Sequence, residues 1–380
     1  MTERSQAPLD KAGLQARIDA LWREELEWVR RHREPDMSDL DAEIGKELER
    51  RDVHALPALD IAMWPEDVFF TVDVSDPERF NDRFMELPMG HIRSSAAFIV
   101  GMHHVLVLFI LSLVMVFPAA TLAELWPLYA FGLLLLAPLF WFCFRTEREP
   151  MGRVRYNRQA QLLHIDDGKG HVAHIPWRHV RPLVDERSTS VLKLYAPRPR
   201  AEIETYKLRI RGNPNPPPID LSGPYECVNS LPDLYELQGL EFIRRYMAHG
   251  LPAIQPHPSA LAQGLVKATD HVDVPTRWAG KYLLSPLRRY WHALCLGPWL
   301  DERARLGEAR FEWNDEVKQL CGRSPNLRGL DARPIKPNPR AYYRPAYDYP
   351  VSFSYRLVNR HGLPLMMAPE SMRPKAASKA

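Results

Sequence analysis

The sequence predicts an α+β membrane protein: a transmembrane helical hairpin, then a small antiparallel β domain, then a helical, proline-rich C-terminal region. Three observations predict it. Residues 96–117 and 125–144 are apolar stretches of the roughly 20 residues that a helix needs to cross a hydrocarbon core about 30 Å thick. Directly after them the apolar period changes from helical to alternating. Finally, thirty-five prolines in 380 residues cluster from Pro197 onward, where they favour loops and extended chain. The boundaries follow as 1–95 (N-terminal amphipathic-helix region), 96–144 (hairpin), 145–252 (β-rich domain with a closing helix) and 253–380 (helical and proline-rich region with a disordered tail).

At the N-terminus, LDKAGLQARIDALWREELEWVRR places Leu14, Ile18, Leu21, Trp22, Leu26 and Val29 on one helical stripe. Its polar face mixes both charge signs, so it is expected to dock on another part of the chain rather than lie on a membrane. A second helix is expected over 38–51, where SDLD offers Ser38 as N-cap. Residues 53–89, with VFFTVDV, suggest one short strand and irregular connections. MTERSQAPLDKAGLQ has no apolar core of a signal peptide.

Within the first span, VLVLFILSLVMVF (105–117) has only Ser112 as a non-apolar residue, and Pro118 follows it. The second span, LWPLYAFGLLLLAPLFWFCF, carries no charge. Arg79, Arg83 and Arg93 precede the pair, Arg145, Arg148, Arg153, Arg155 and Arg158 follow it, and the link holds only Glu124. The positive-inside rule then puts both termini in the cytoplasm. Trp126, Tyr129 and Trp141 sit where interfacial aromatics sit, and Pro127 and Pro138 are tolerable inside bilayer helices. A buried helical hairpin of a soluble protein is the competing reading. His103 and His104 are ionisable groups at the rim of the first span, which makes them functional candidates; as neutral imidazoles at headgroup depth they would cost little.

After the hairpin, VRYNRQAQLLHIDDGKGHVAHIPW reads as strands at 154–157, 162–165 and 171–177 around the tight turn DDGKG. VLKLYA (191–196) and IETYKLRI (203–210) read as two more. A closed barrel, a sandwich and a pleckstrin-homology-like module all remain open for this sheet. A helix is expected over 231–248, where Leu234, Leu237, Leu240, Ile243 and Met247 share a side. PAIQPHPSALAQ reads as a linker. Residues 276–300 read as a helix pair with Trp278, Tyr282, Tyr290 and Trp291 packed inward and Arg288 and Arg289 solvated, the alternative being a basic aromatic patch for nucleic acid or anionic lipid. A strand is expected at 351–358, and the last dozen residues read as disordered.

Two membrane spans, a strand ending in YNR with a hairpin that closes on a Trp (154–177), and FIRRYMAHG (242–250) followed by LPAIQP resemble an uncharacterised family of bacterial membrane proteins. Its members are often encoded beside type VI secretion effectors. The likeness covers residues 96–256. It implies the inner membrane and a setting of interbacterial antagonism, and it implies no reaction.

Composition and motifs narrow the rest. Fifty Lys plus Arg against 47 Asp plus Glu give a net charge of +3, no global case for nucleic-acid binding. Cys143, Cys227, Cys295 and Cys321 lie far apart without a C-x-x-C pair, as suits a reducing cytoplasm. There is no G-x-x-x-x-G-K-[ST], G-x-S-x-G, H-E-x-x-H or G-x-G-x-x-G. His164, His171, His174 and His179 crowd the expected sheet, but His171 and His174 would point to opposite faces of one strand, which argues against a shared metal. No catalytic residue, cofactor or metal site is therefore expected. Trp177, Arg244, Arg245 and Tyr246 are the candidate interaction residues, with Trp177 alternatively a core aromatic. The expected partners are the lipid bilayer and a protein, either a secreted effector or a secretion-apparatus component. Three readings stand: a non-enzymatic interaction protein (immunity, loading or accessory factor), a membrane-inserting effector toxin, and a membrane-anchored enzyme.

Overall fold

The computed structural model describes residues 11–34, 37–50, 52–88, 95–116, 122–146, 152–168, 170–185, 191–211, 225–228, 236–267, 285–346 and 354–365. In chain order these residues form α1 (Lys11–Arg31), α2 (Ser38–Leu48), β1 (Val53–Ala55), β2 (Ala62–Met63), β3 (Phe84–Pro88), α3 (Ser95–Val116), α4 (Leu122–Thr146), β4 (Arg153–Asn157), β5 (Leu162–Asp166), β6 (Val172–Pro176), β7 (Arg181–Asp185), β8 (Val191–Ala196), α5 (Arg200–Arg211), β9 (Tyr225–Val228), α6 (Glu236–His249), α7 (Pro258–Ala262), α8 (Ser285–Leu294), α9 (Gly297–Glu308), α10 (Asp315–Leu320), β10 (Tyr342–Pro345) and β11 (Tyr355–Val358). The fold is mixed α+β with antiparallel sheets. Contacts divide it into two units built from non-consecutive stretches: Met1–Gly90, Gly152–His271 and Trp313–Ala380 form one, and His91–Met151 with Val272–Glu312 form the other.

The first unit holds two four-stranded antiparallel sheets, ordered β3-β4-β5-β6 and β1-β7-β8-β9, and a small sheet β11-β10-β2 in which β2 runs parallel to β10. The β5–β6 turn forms because Gly168 and Gly170 take positive φ, while the Asp166 carboxylate accepts from the Gly168 amide at 2.6 Å. At the end of β6, Trp177 opens a single 3₁₀ turn that carries the chain into β7 and so into the other sheet. The apolar side of α6 (Leu237, Leu240, Phe242, Ile243, Tyr246, Met247) joins the inner residues of both large sheets in one core. Each such buried side chain contributes about 1.5–3 kcal/mol relative to exposure. α1 docks on this unit, where Leu26 and Val29 pack with Ala160, Leu162 and Leu320.

Several elements differ from the sequence reading. Residues 203–210 belong to helix α5, not to a strand. Tyr206, Leu208 and Ile210 alternate as in a strand while Ile203, Tyr206 and Ile210 are spaced as on a helix, and a tertiary contact decides between the two: the buried Glu25 carboxylate of α1 accepts from the amides of Arg200 (3.2 Å) and Ala201 (2.8 Å), satisfying the helix start. β7, β9 and β10 were not expected: they are short segments, and β7 and β10 also pair with the distant β1 and β2. Ser38 opens α2, but its cap position is Met37 and no side chain caps it. The strand expected over 351–358 is β11, and its first part lies outside the described residues, as do residues 231–235, 276–284 and the tail.

In the second unit, α3 and α4 lie along one another. His103 Nε2 is 3.0 Å from the Tyr129 hydroxyl, and Gly132 gives way to Leu106, which a Cβ there would strike. The expected spans coincide with these two helices. Among the described residues, one stretch qualifies by length and apolarity together as able to cross a membrane: Trp126–Arg145, 20 residues of mean hydropathy 1.9, none of it buried inside the protein. The apolar part of α3, Ile99–Ser112, is shorter. α8 and α9 form a helix pair joined at Leu296, whose φ of 60° turns the chain sharply, and Gly297 leaves room for the His292 ring. The inward packing expected of Tyr290 and Trp291 is not found, because Tyr290 is 80% exposed and Trp291 only partly covered.

Candidate functional site

The YNR and FIRRYMAHG motifs meet at one place in the first unit. Asn157 and Arg158 end β4, and FIRRYMAHG runs through α6 to Gly250, which takes φ +82° where the helix stops. The Arg158 guanidinium lies 3.2 Å from where a Cβ on Gly250 would stand, and the positive φ favours glycine there. Gln161 bridges the two motifs by donating to the carbonyls of Arg158 and Met247, each at 2.8 Å. Its own carbonyl accepts from the Trp177 amide at 2.9 Å. The Tyr246 hydroxyl donates to the Asn81 carbonyl at 2.6 Å, and Trp177 packs edge-on to Tyr156.

Three of the four expected interaction residues lie inside this unit. Trp177 is 1% exposed, Tyr246 0% and Arg244 4%, so none of the three presents a face to a partner. Arg244 instead donates through Nε to Glu241 at 2.7 Å, and half-buried Arg245 donates to the same carboxylate at 2.7 Å. Glu241 also accepts from the Met63 amide at 3.1 Å, which ties α6 to β2. The sequence could not separate these roles, since an aromatic or arginine on an amphipathic helix suits a surface and a satisfied core alike. A second buried carboxylate, Glu86 of β3, accepts from Arg153, Arg155 and the Trp313 indole. Burial raises its pKa, and the Arg155 guanidinium more than offsets this, holding it below the usual range.

The histidines resolve into separate environments. His164 and His174 face each other across β5 and β6, with Nδ1 atoms 2.9 Å apart. Because the Asn157 amide donates to His164 Nε2 (3.2 Å), His164 carries its proton on Nδ1 and donates to His174 Nδ1; His174 then carries its own on Nε2, facing Glu316 at 3.9 Å. Both rings are kept neutral by burial, which lowers His164 well below its ordinary value and His174 to about 3. His171 stacks on Trp22 near Asp19, and the Asp167 and Asp19 carboxylates raise its pKa. Among the described residues no group of three or more His, Cys, Asp or Glu could hold a metal ion. The cavity beside His174 and His179 has about 40 Å³ of space, room for water rather than for a substrate.

The apolar exterior of the second unit is the candidate site. Trp126, Phe131, Leu134 and Trp141 of α4 and Val105 and Leu108 of α3 are exposed, a density that a water-facing surface seldom carries. Sequence reasoning found this face through its composition. His103 and His104 lie on it together: His104 Nδ1–H donates to the Val100 carbonyl at 2.7 Å, its ring meets Trp291 edge-on, and His103 bonds Tyr129. The structure thus gives both imidazoles local partners. Exposed Leu294, Trp299 and Leu306 extend the face onto α8 and α9, where the sequence reading favoured inward packing over a lipid-binding aromatic patch; the i, i+3, i+4, i+7 spacing of Leu287, Tyr290, Trp291 and Leu294 marks that face. No protein-family model, curated protein or solved structure matches this chain.

Proposed function

We propose that this chain is a non-enzymatic interaction protein of the bacterial inner membrane. α3 and α4 anchor it as a two-span hairpin with both termini cytoplasmic, and its β-rich unit binds a protein partner, a type VI secretion effector or apparatus component that it serves as immunity, loading or accessory factor. The observation that carries the anchoring is the unburied, apolar stretch Trp126–Arg145, charged only at its last residue. α3, at 22 residues and 1.5 Å per residue, reaches about 33 Å, which suits a second span. The arginines at the outer ends of the hairpin support the orientation. The order β4-β5-β6, then β7-β8-β9, closed by α6, favours a pleckstrin-homology-like unit over a single barrel. The secretion context rests on the sequence resemblance over residues 96–256.

Two measurements test this reading. Alkaline phosphatase fused in the 117–121 link should be active and green fluorescent protein at either terminus fluorescent; the reverse pattern overturns the topology. Crosslinked affinity purification from native membranes should recover one secretion protein in stoichiometric amount. Recovery of none, together with growth arrest when the chain is expressed alone, would instead indicate a toxin.

A further inference from the structure

We infer that α8 and α9 form an in-plane helical hairpin seated in the cytoplasmic headgroup layer of the bilayer, a second membrane contact far from the spans in sequence. The inference rests on the reading that α4 crosses the bilayer with its Arg145 end inside. At 10 and 12 residues, α8 and α9 reach only about 15–18 Å and cannot cross, so an apolar face on them must lie along a membrane or against protein. That face is present: Tyr290, Leu294, Leu296, Trp299 and Leu306 are all exposed.

Position decides for the bilayer. Trp291 of α8 packs on Gly101 and His104, in the first half of α3, and Trp299 of α9 stacks on Phe144, beside the end of α4, with ring centroids 5.7 Å apart. In an antiparallel hairpin these are the same end, the one flanked by arginines. The Arg303 guanidinium lies over both the Phe144 and Trp299 rings, at 4.5 and 5.4 Å, a pairing of cation and aromatic suited to the interface. Away from that face His292 and Asp301 bridge the two helices at 3.2 Å, while the solvated Glu302 and Arg305 flank it, Glu302 standing one turn from both Trp299 and Leu306. A protein interface excludes charge from its core, whereas an in-plane helix needs this alternation of apolar and charged sides.

The test is photolabelling of the full-length protein in phosphatidylethanolamine–phosphatidylglycerol vesicles, with a diazirine either high on the acyl chain or at its end, mapped by mass spectrometry. The shallow probe should label residues 285–308 roughly tenfold above α6, and the deep probe should leave them unlabelled, while residues 126–145 take both labels. Labelling of 126–145 without 285–308 overturns the in-plane hairpin and leaves the anchor standing. Deep labelling of 285–308 also overturns it. If 126–145 takes neither label, the anchoring reading fails and this inference with it.

Discussion

At the scale of single residues, the first unit is organised by buried polar groups whose partners come from distant parts of the chain. Glu241 joins both ranges, since it satisfies Arg244 and Arg245 one turn along α6 and the distant Met63 amide at once. Glu241→Ala leaves the Arg244 guanidinium buried and uncompensated, so unfolding of detergent-solubilised protein should shift by about 3–5 kcal/mol; a loss under 1 kcal/mol would mean that water replaces the carboxylate. The histidine pair makes a second prediction. His174 has a folded pKa of about 3 and His164 is also lowered, so unfolded chain binds protons that folded chain refuses. Their stabilisation is complete above about pH 6.5 and is lost as pH falls from there toward 3, by up to about 1.4 kcal/mol per histidine per pH unit. Asp166, raised to about 6 by burial, acts oppositely, its contribution fading as pH rises through 6. Denaturant midpoints at pH 7 and pH 5 should therefore fall for the wild type and fall less for His174→Asn. The histidines were legible as a cluster; their pairing was not, because it depends on the β5–β6 register.

At the scale of elements, periodicity identified α1, α6, the two apolar helices and β4 to β6, where one face is consistently apolar. It failed at α5, where both periods fit and Glu25 decides. Glu25→Ala should speed amide exchange across residues 200–211 roughly tenfold, matching a loss of about 1–2 kcal/mol at the helix start. Unchanged exchange would show that packing of Ala201 and Thr205 holds the helix without the carboxylate. The family-like motifs on β4 and α6 were also legible as sequence. Their meaning was not, since only the structure brings Arg158 over Gly250 and shows them as the joint between sheet and helix.

At the scale of the whole molecule, membrane anchoring is the property on which the functional reading depends. Leu134 is 70% exposed near the centre of the candidate span. Leu134→Arg should disfavour insertion by about 3 kcal/mol, and the fraction resisting alkaline extraction should drop accordingly; full retention would count against a span at this position. Sequence alone determined that α4 is long, apolar and uncharged enough to cross a membrane, because that property is a sum over consecutive side chains and needs no partner. It equally determined the alternating strands of the β5–β6 hairpin, whose pairing is local. The tertiary structure alone decided that the chain returns twice to the first unit and once to the second, that α5 is a helix, and that Trp177, Arg244 and Tyr246 lie inside. Each of these depends on free energy shared between residues far apart in the chain, such as the Glu25 carboxylate meeting the start of α5 or the Tyr246 hydroxyl finding the Asn81 carbonyl, and no window of neighbouring residues contains that information.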